Sequence, residues 1–175
     1  MKAFKHFITI TKHRHLVIRY CAKAGILWQG LRHDLSKYSP TEFLAGARFY
    51  QGNRSPNEGE RAVYGYSQAW LHHKGRNKHH FEYWTDYNPK LKCVAPVKMP
   101  ERYVIEMFCD RVAASKIYRG TEYTDEYPLE YFQRGKAARS IHSETAELIE
   151  SLLRMLAEQG EEKTFAYLRE RKWND

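Results

Sequence analysis

The sequence predicts an all-α protein, a single-domain helical bundle spanning residues 1–175. Three observations carry that expectation. Apolar residues recur at three- and four-residue spacing, Ser-Pro-x-Glu and Gly signals open and close segments, and alternating strand patterns between hairpin turns are scarce. Composition agrees, because 42% hydrophobic, 14% aromatic and 29% charged residues describe a chain with enough apolar surface to fold.

The first helix is expected from about Phe4 to Ala24, ending at Gly25, and a second, short one from about Ile26 to Lys37. Ser39-Pro40-Thr41-Glu42 reads as a capping box opening a helix to about Tyr50. Ser55-Pro56-Asn57-Glu58 repeats that grammar and should open a longer helix to about Lys74, with residues 75–99 irregular. Pro100-Glu101 starts a helix to about Tyr118, closed by Gly120. A short helix is expected near Leu129 to Ala138. Ser143-Glu144 opens another, with Leu148, Ile149, Leu152 and Leu156 on one stripe, and Gly160 separates the last.

No apolar run reaches the ~18 to 20 residues that span a bilayer, and Lys and His interrupt the opening segment, so a cytoplasmic protein with no membrane partner is expected. Cys21, Cys93 and Cys109 form no CxxC pair; a packing role is expected, not a disulfide framework or zinc ribbon. The net charge is +8, and residues 1–39 hold eight Lys or Arg against the lone acid Asp34. Such an excess attracts phosphate-bearing ligands or nucleic acid, or forms a solvated helix face.

His and Asp carry the chemistry. Imidazole and carboxylate together suit divalent transition ions. His13 falls on the inward stripe of the first helix with His6, Ile10, Val17 and Tyr20, whereas His15 lies on a wetter face. His33-Asp34 sits in a short helix, where adjacent side chains diverge by about 100° and share an ion only if it lies between them. Lys37 projects to the same side, to hold a phosphate or to neutralise Asp34. The segment His72-His73-Lys74-Gly75-Arg76-Asn77-Lys78-His79-His80 places two His pairs seven residues apart, and a turn at Gly75 to Asn77 would fold the second pair back on the first. Its plainer reading is a basic, aromatic surface patch. Asp110 shares a stripe with Tyr103, Met107, Ala114 and Ile117, so it faces the core and needs a cation or a metal there.

In chain order, His13, His33-Asp34, the two His pairs and Asp110 reproduce an H…HD…H…H…D signature, and the sequence resembles the HD-domain superfamily of metal-dependent phosphohydrolases. LRHDLSKYS looks like that superfamily's central helix end, and MFCDRVAASK like its closing Asp helix. HDLSKYSPTEF, AWLHHKGRNKHHFEYW and MPERYVIEMFCDRVAASKIY more closely resemble a family of uncharacterised proteins from Gram-positive bacteria and their phages, over nearly the whole chain. The superfamily resemblance implies a helical bundle of the HD-domain type. It implies His13, His33, Asp34 and Asp110 around one ion, with Asp34 bridging to a second held by one His from each of the pairs His72/His73 and His79/His80. The short His13–His33 interval and the tight spacing between the pairs leave a single ion open. Mn or Fe is expected, with Zn, Co or Ni as alternatives.

The activity so implied is hydrolysis of a phosphoester, a phosphorylated small molecule or nucleotide, with Asp34 and Lys37 catalytic and Lys37, Arg76 and Lys116 contacting substrate. Ser36 lacks a base and an orienting acid, which disfavours a serine nucleophile. A nonenzymatic module binding nucleic acid or protein is the second reading. Redox chemistry at a nonhaem metal pair is the third.

Overall fold

The computed structural model describes residues 1–135 and 140–171. Among them the chain is predominantly helical, with eight α-helices and one small hairpin: α1 Lys2–Lys23, α2 Leu27–Arg32, α3 Pro40–Arg48, α4 Pro56–Tyr64, α5 Gln68–Lys74, β1 Thr85–Asn88, β2 Cys93–Pro96, α6 Glu101–Arg119, α7 Tyr127–Arg134 and α8 Ser143–Glu170. The predicted end of the seventh helix, toward Ala138, lies outside the described residues. No described helix is long and apolar enough to cross a membrane.

α1, α6 and α8 form the core. Val17, Tyr20 and Cys21 of α1 meet Val104, Phe108 and Val112 of α6 and Ile149, Leu152, Leu153 and Leu156 of α8. Tyr20 stacks on Phe165 with ring centroids 5.0 Å apart. α6 is buried well beyond the expected stripe, with Ile105, Cys109 and Ala113 fully enclosed as well. It is the central helix, packed by α1, α7 and α8, so burial extends around most of its circumference. Cys21 and Cys109 are buried free thiols, as the packing role requires, while Cys93 is an exposed one.

The expected long helix from Ser55 to Lys74 is two helices. Gly65 adopts φ 79°, a left-handed conformation that ends α4, and Ser67 starts α5 by accepting a hydrogen bond from Trp70 N at 3.0 Å. Glu60 holds the break by accepting from the Ser67 hydroxyl at 2.6 Å and Ala69 N at 3.3 Å. The segment read as irregular contains the hairpin, in antiparallel register Thr85↔Pro96 to Asn88↔Cys93. Its strands are four residues long and mostly exposed, so they lack the apolar alternation by which a strand is recognised. α8 is interrupted at Gly160 (φ 77°, ψ 172°), where a separation between helices was predicted.

Gly30 brings α2 against α1. A Cβ there would stand 2.6 Å from Cys21 Cβ and 3.2 Å from Ile18 Cα, neither the end of a flexible chain. Gly30→Ala is therefore expected to destabilise the fold by about 1–3 kcal/mol, read as a lower midpoint in urea unfolding. An unchanged midpoint would mean that α2 shifts freely. α2 leads directly into His33-Asp34, so its seating fixes the residues described next.

Candidate metal centre

His33 and Asp34 do not continue a helix. α2 ends at Arg32, His33 is extended (φ −53°, ψ 128°) and Asp34 is left-handed (φ 54°, ψ 25°) before a 3-10 turn at Leu35–Tyr38. This corrects the reading of one helix to Lys37. The break removes the 100° divergence of helical neighbours and lets both side chains face one point, with His33 Nε2 3.2 Å from Asp34 Oδ2. Asp tolerates the left-handed region better than most residues, and such strain recurs at functional sites.

Two sets of donors converge on Asp34. His13, His33, Asp34 and Asp110 make the first, and Asp34, His73, His79 and His80 the second; in each, one atom per residue lies within 4.8 Å of all the others. In the first, His13 Nε2 is 2.9 Å from Asp110 Oδ1 and 3.8 Å from Asp34 Oδ2, and His33 Nε2 is 3.6 Å from Asp110 Oδ1. In the second, Asp34 Oδ1 is 3.2 Å from His73 Nε2 and 3.4 Å from His79 Nε2, and His73 and His80 bring their Nε2 atoms within 2.9 Å. Ligand atoms about 2.1 Å from a common ion stand roughly 3.0 to 3.4 Å apart, close to most of these separations. Asp34 serves the first set through Oδ2 and the second through Oδ1.

Nε2 of His13, His33 and His79 and both oxygens of Asp34 are buried at the meeting point without a well-directed hydrogen bond, although Asp110 lies against His13 and Lys37 against Asp34 Oδ2. Five such atoms crowded together would be costly in a folded interior, and cations held in the two sets would satisfy them. The donors thus fit a divalent ion.

Carboxylates outside the pocket set the histidines. Glu106 Oε1 accepts from His33 Nδ1 at 3.0 Å and from His79 Nδ1 at 3.1 Å, one histidine of each set, and Gln29 Nε2 donates to Glu106 Oε2 at 2.9 Å. Glu42 accepts from His73 Nδ1 at 2.7 Å and from His72 Nδ1 at 2.6 Å. Holding the proton on Nδ1 leaves the Nε2 lone pair for an ion. His33, His79 and Glu106 are themselves close enough to hold a metal, but the nitrogens facing Glu106 are these hydrogen-bonded Nδ1 atoms, so Glu106 is an orienting group. Sequence reading missed both acids. Glu42 was taken for the third residue of a capping box, yet Ser39 makes no side-chain cap; Glu106 lies one turn before Asp110, a spacing that could have pointed to it.

Charge follows geometry. Burial works against ionising Asp34, but His33, Lys37 and His73 outweigh it and hold the carboxyl well below its usual range. Burial likewise opposes a charged His33, and Asp34, Asp110 and Glu106 reverse this and hold it well above the ordinary histidine value. His80 is pushed well down by burial and by His79 and His73, leaving a neutral imidazole. Burial opposes ionisation of Glu106, yet His33 and His79 hold it at about 2.

Of the predicted ligands, His72 joins neither set; it lies on the far side of Glu42. His13, His33, Asp34, His73, His79, His80 and Asp110 come together. Lys37 Nζ sits 2.6 Å from Asp34 Oδ2 and lines a cavity of about 570 Å3 that also reaches His73, His80 and Asp110. Arg76 and Lys116, expected to contact substrate, are off this wall. Arg76 is exposed on the turn after α5, donating to His72 O at 3.3 Å. Lys116 is six residues beyond Asp110, about 240° around the helix. It pairs with Glu161 and lies over the rings of Tyr20 and Tyr123. Arg54, Arg61 and Arg111 supply the other cations of the wall, with Tyr50, Tyr118 and Trp70 among its rings.

His6 also lines the cavity, between Phe43 and Tyr50, and burial together with Lys37 lowers it to about 4. Between the unfolded value of about 6.5 and the folded value of about 4, the unfolded chain binds the extra proton. Stability contributed by neutral His6 is therefore present above about pH 6.5 and lost on acidification toward pH 4. His6→Gln is expected to reduce the drop in melting temperature across that interval; an identical drop in both proteins would place the cost elsewhere.

Fold and site together define a mainly helical protein with a buried His, Asp and Glu cluster able to hold a metal ion. The chain belongs to the Family of unknown function (DUF5662), whose model matches residues 2–155. No curated protein and no solved structure matches it.

Proposed function

We propose that this protein is a metal-dependent phosphohydrolase, its helices arranged in the HD-domain manner, acting on a phosphorylated small molecule such as a nucleotide. The observation that carries the reading is the convergence of buried donor atoms on His13, His33, His79 and Asp34, without well-directed hydrogen bonds, beside an open cavity. His13, His33 and Asp110 would hold one ion and His73, His79 and His80 a second, with Asp34 between them. Nitrogen and oxygen donors in these numbers suit Mn or Fe, with Zn, Co or Ni as alternatives. Bound there, divalent ions would acidify water and offset charge on a phosphoryl group.

The chain's own residues supply the rest. Asp34 orients toward both donor sets, and Lys37 adds a positive charge at the cavity edge of Asp34 that attracts an anionic ester. Burial opposes the charged form of Lys37, but Asp34 and Asp110 hold it protonated well above neutrality, so it binds charge and does not act as a base. Arg61 and Arg111 lie farther along the wall, within reach of a substrate's remaining polar groups.

Elemental analysis of untagged protein should find a transition metal. A screen of phosphoesters should find turnover that a chelator abolishes and Mn²⁺ or Fe²⁺ restores. Turnover indifferent to chelation would sink the proposal.

A further inference from the structure

α2 and the turn after it run antiparallel beside α1. Gly30 lies against Ile18 and Cys21, Arg14 donates to Leu31 O at 2.5 Å and to His33 O at 3.2 Å, the Thr11 and Tyr38 hydroxyls are 3.1 Å apart, and Phe7 meets Tyr38 edge-on at 6.1 Å. While His33 and Asp34 point inward, the outer side of this pair presents large apolar groups to solvent: Trp28 is 77% exposed, Phe4 70% and Leu35 53%, with Phe7, Leu27 and Leu31 exposed beside them. Lys2, Lys5, Lys12, Arg19, Lys23 and Arg32 are exposed on the same two helices. The one acid of residues 1–39, Asp34, is 1% exposed and turned to the donor cluster. Among the described residues, Lys5, Lys12, Arg19 and Arg32 have no carboxylate within ion-pair distance.

We propose that this face docks onto an anionic lipid surface, independently of the metal reading. Exposed aromatic and aliphatic side chains flanked by unneutralised cations are what a helix lying in a headgroup layer needs: the apolar groups enter the boundary while Lys and Arg meet phosphate. Lacking a spanning helix bears on crossing a bilayer and leaves lying against one open. A second copy of the chain is a poor occupant, since two such faces would oppose like charges. Nucleic acid would use the cations but leaves Leu27, Leu31 and Leu35 without a role.

The full chain should co-sediment with phosphatidylcholine vesicles containing about 30% phosphatidylglycerol and stay in solution with phosphatidylcholine alone. Trp28→Ser with Leu31→Ser keeps every charge, and Lys12→Glu with Arg19→Glu keeps every apolar group. Each pair is expected to weaken partition by about tenfold or more while the chain stays folded, since Trp28, Lys12 and Arg19 lie at the surface and Leu31, 38% exposed, belongs to none of the core helices; the melt is recorded beside each binding curve. Failure to sediment with the anionic vesicles overturns the proposal. So does undiminished binding by the Trp28/Leu31 variant, which would reduce the effect to net charge, or a Trp28- and Leu31-dependent preference for duplex DNA or an acidic polypeptide over vesicles.

Discussion

Asp34→Ala is expected to strip the protein of metal and of phosphoester turnover together. Its carboxylate is the one group common to both donor sets, with Oδ2 beside His13 and His33 and Oδ1 beside His73 and His79. Losing it removes a ligand from each set and the negative charge beside His33, Lys37 and His73. Groups that only orient a ligand commonly contribute 10- to 100-fold in affinity, so a shared ligand should cost more than about 100-fold. Metal content after gel filtration, measured beside the far-UV spectrum and the melt, separates lost coordination from lost fold. Wild-type metal content or turnover in a folded Asp34→Ala protein would remove the basis of the proposed mechanism.

Glu106→Gln is the second large effect, and its form is distinctive. One carboxylate oxygen accepts from His33 Nδ1 and His79 Nδ1, and those histidines belong to different sets. A neutral amide oxygen is a weaker acceptor for both, and the amide nitrogen is a donor that accepts from neither. Affinity should fall about 10- to 100-fold at both sets. Glu42→Gln touches only His73 among the ligands and should weaken the second set alone. Competition with a graded series of chelators would resolve the two. Should Glu106→Gln release a single class of ion, the Glu106 link between the sets is absent.

Much of the candidate site was legible because few residue types can hold a metal ion. His13 fell on the inward stripe, and the turn at Gly75 to Asn77 does fold the second His pair onto the first, with Asn77 Nδ2 donating to His73 O at 2.8 Å. Which histidine of the first pair faces inward was not legible, since a helix turns 100° per residue and both neighbours looked alike. Glu42 takes Nδ1 of both, and only His73 reaches Asp34. The cations expected to contact substrate do not line the cavity, for a related reason. Lys116 and Arg76 were near the ligands along the chain, whereas the cavity is bounded by Lys37, Arg54, Arg61 and Arg111 from four separate segments.

The sequence alone determined that the chain is helical, where most helices begin and end, and that His and Asp are its chemical resource; these follow from local periodicity, caps and residue chemistry. The split of α4 from α5 is local, at Gly65 and Ser67, whereas only the tertiary structure decided that Asp34 turns left-handed to face two donor sets and that Glu106 and Glu42 orient the imidazoles. Those tertiary outcomes depend on contacts between residues some 20 to 100 positions apart, which no local pattern encodes.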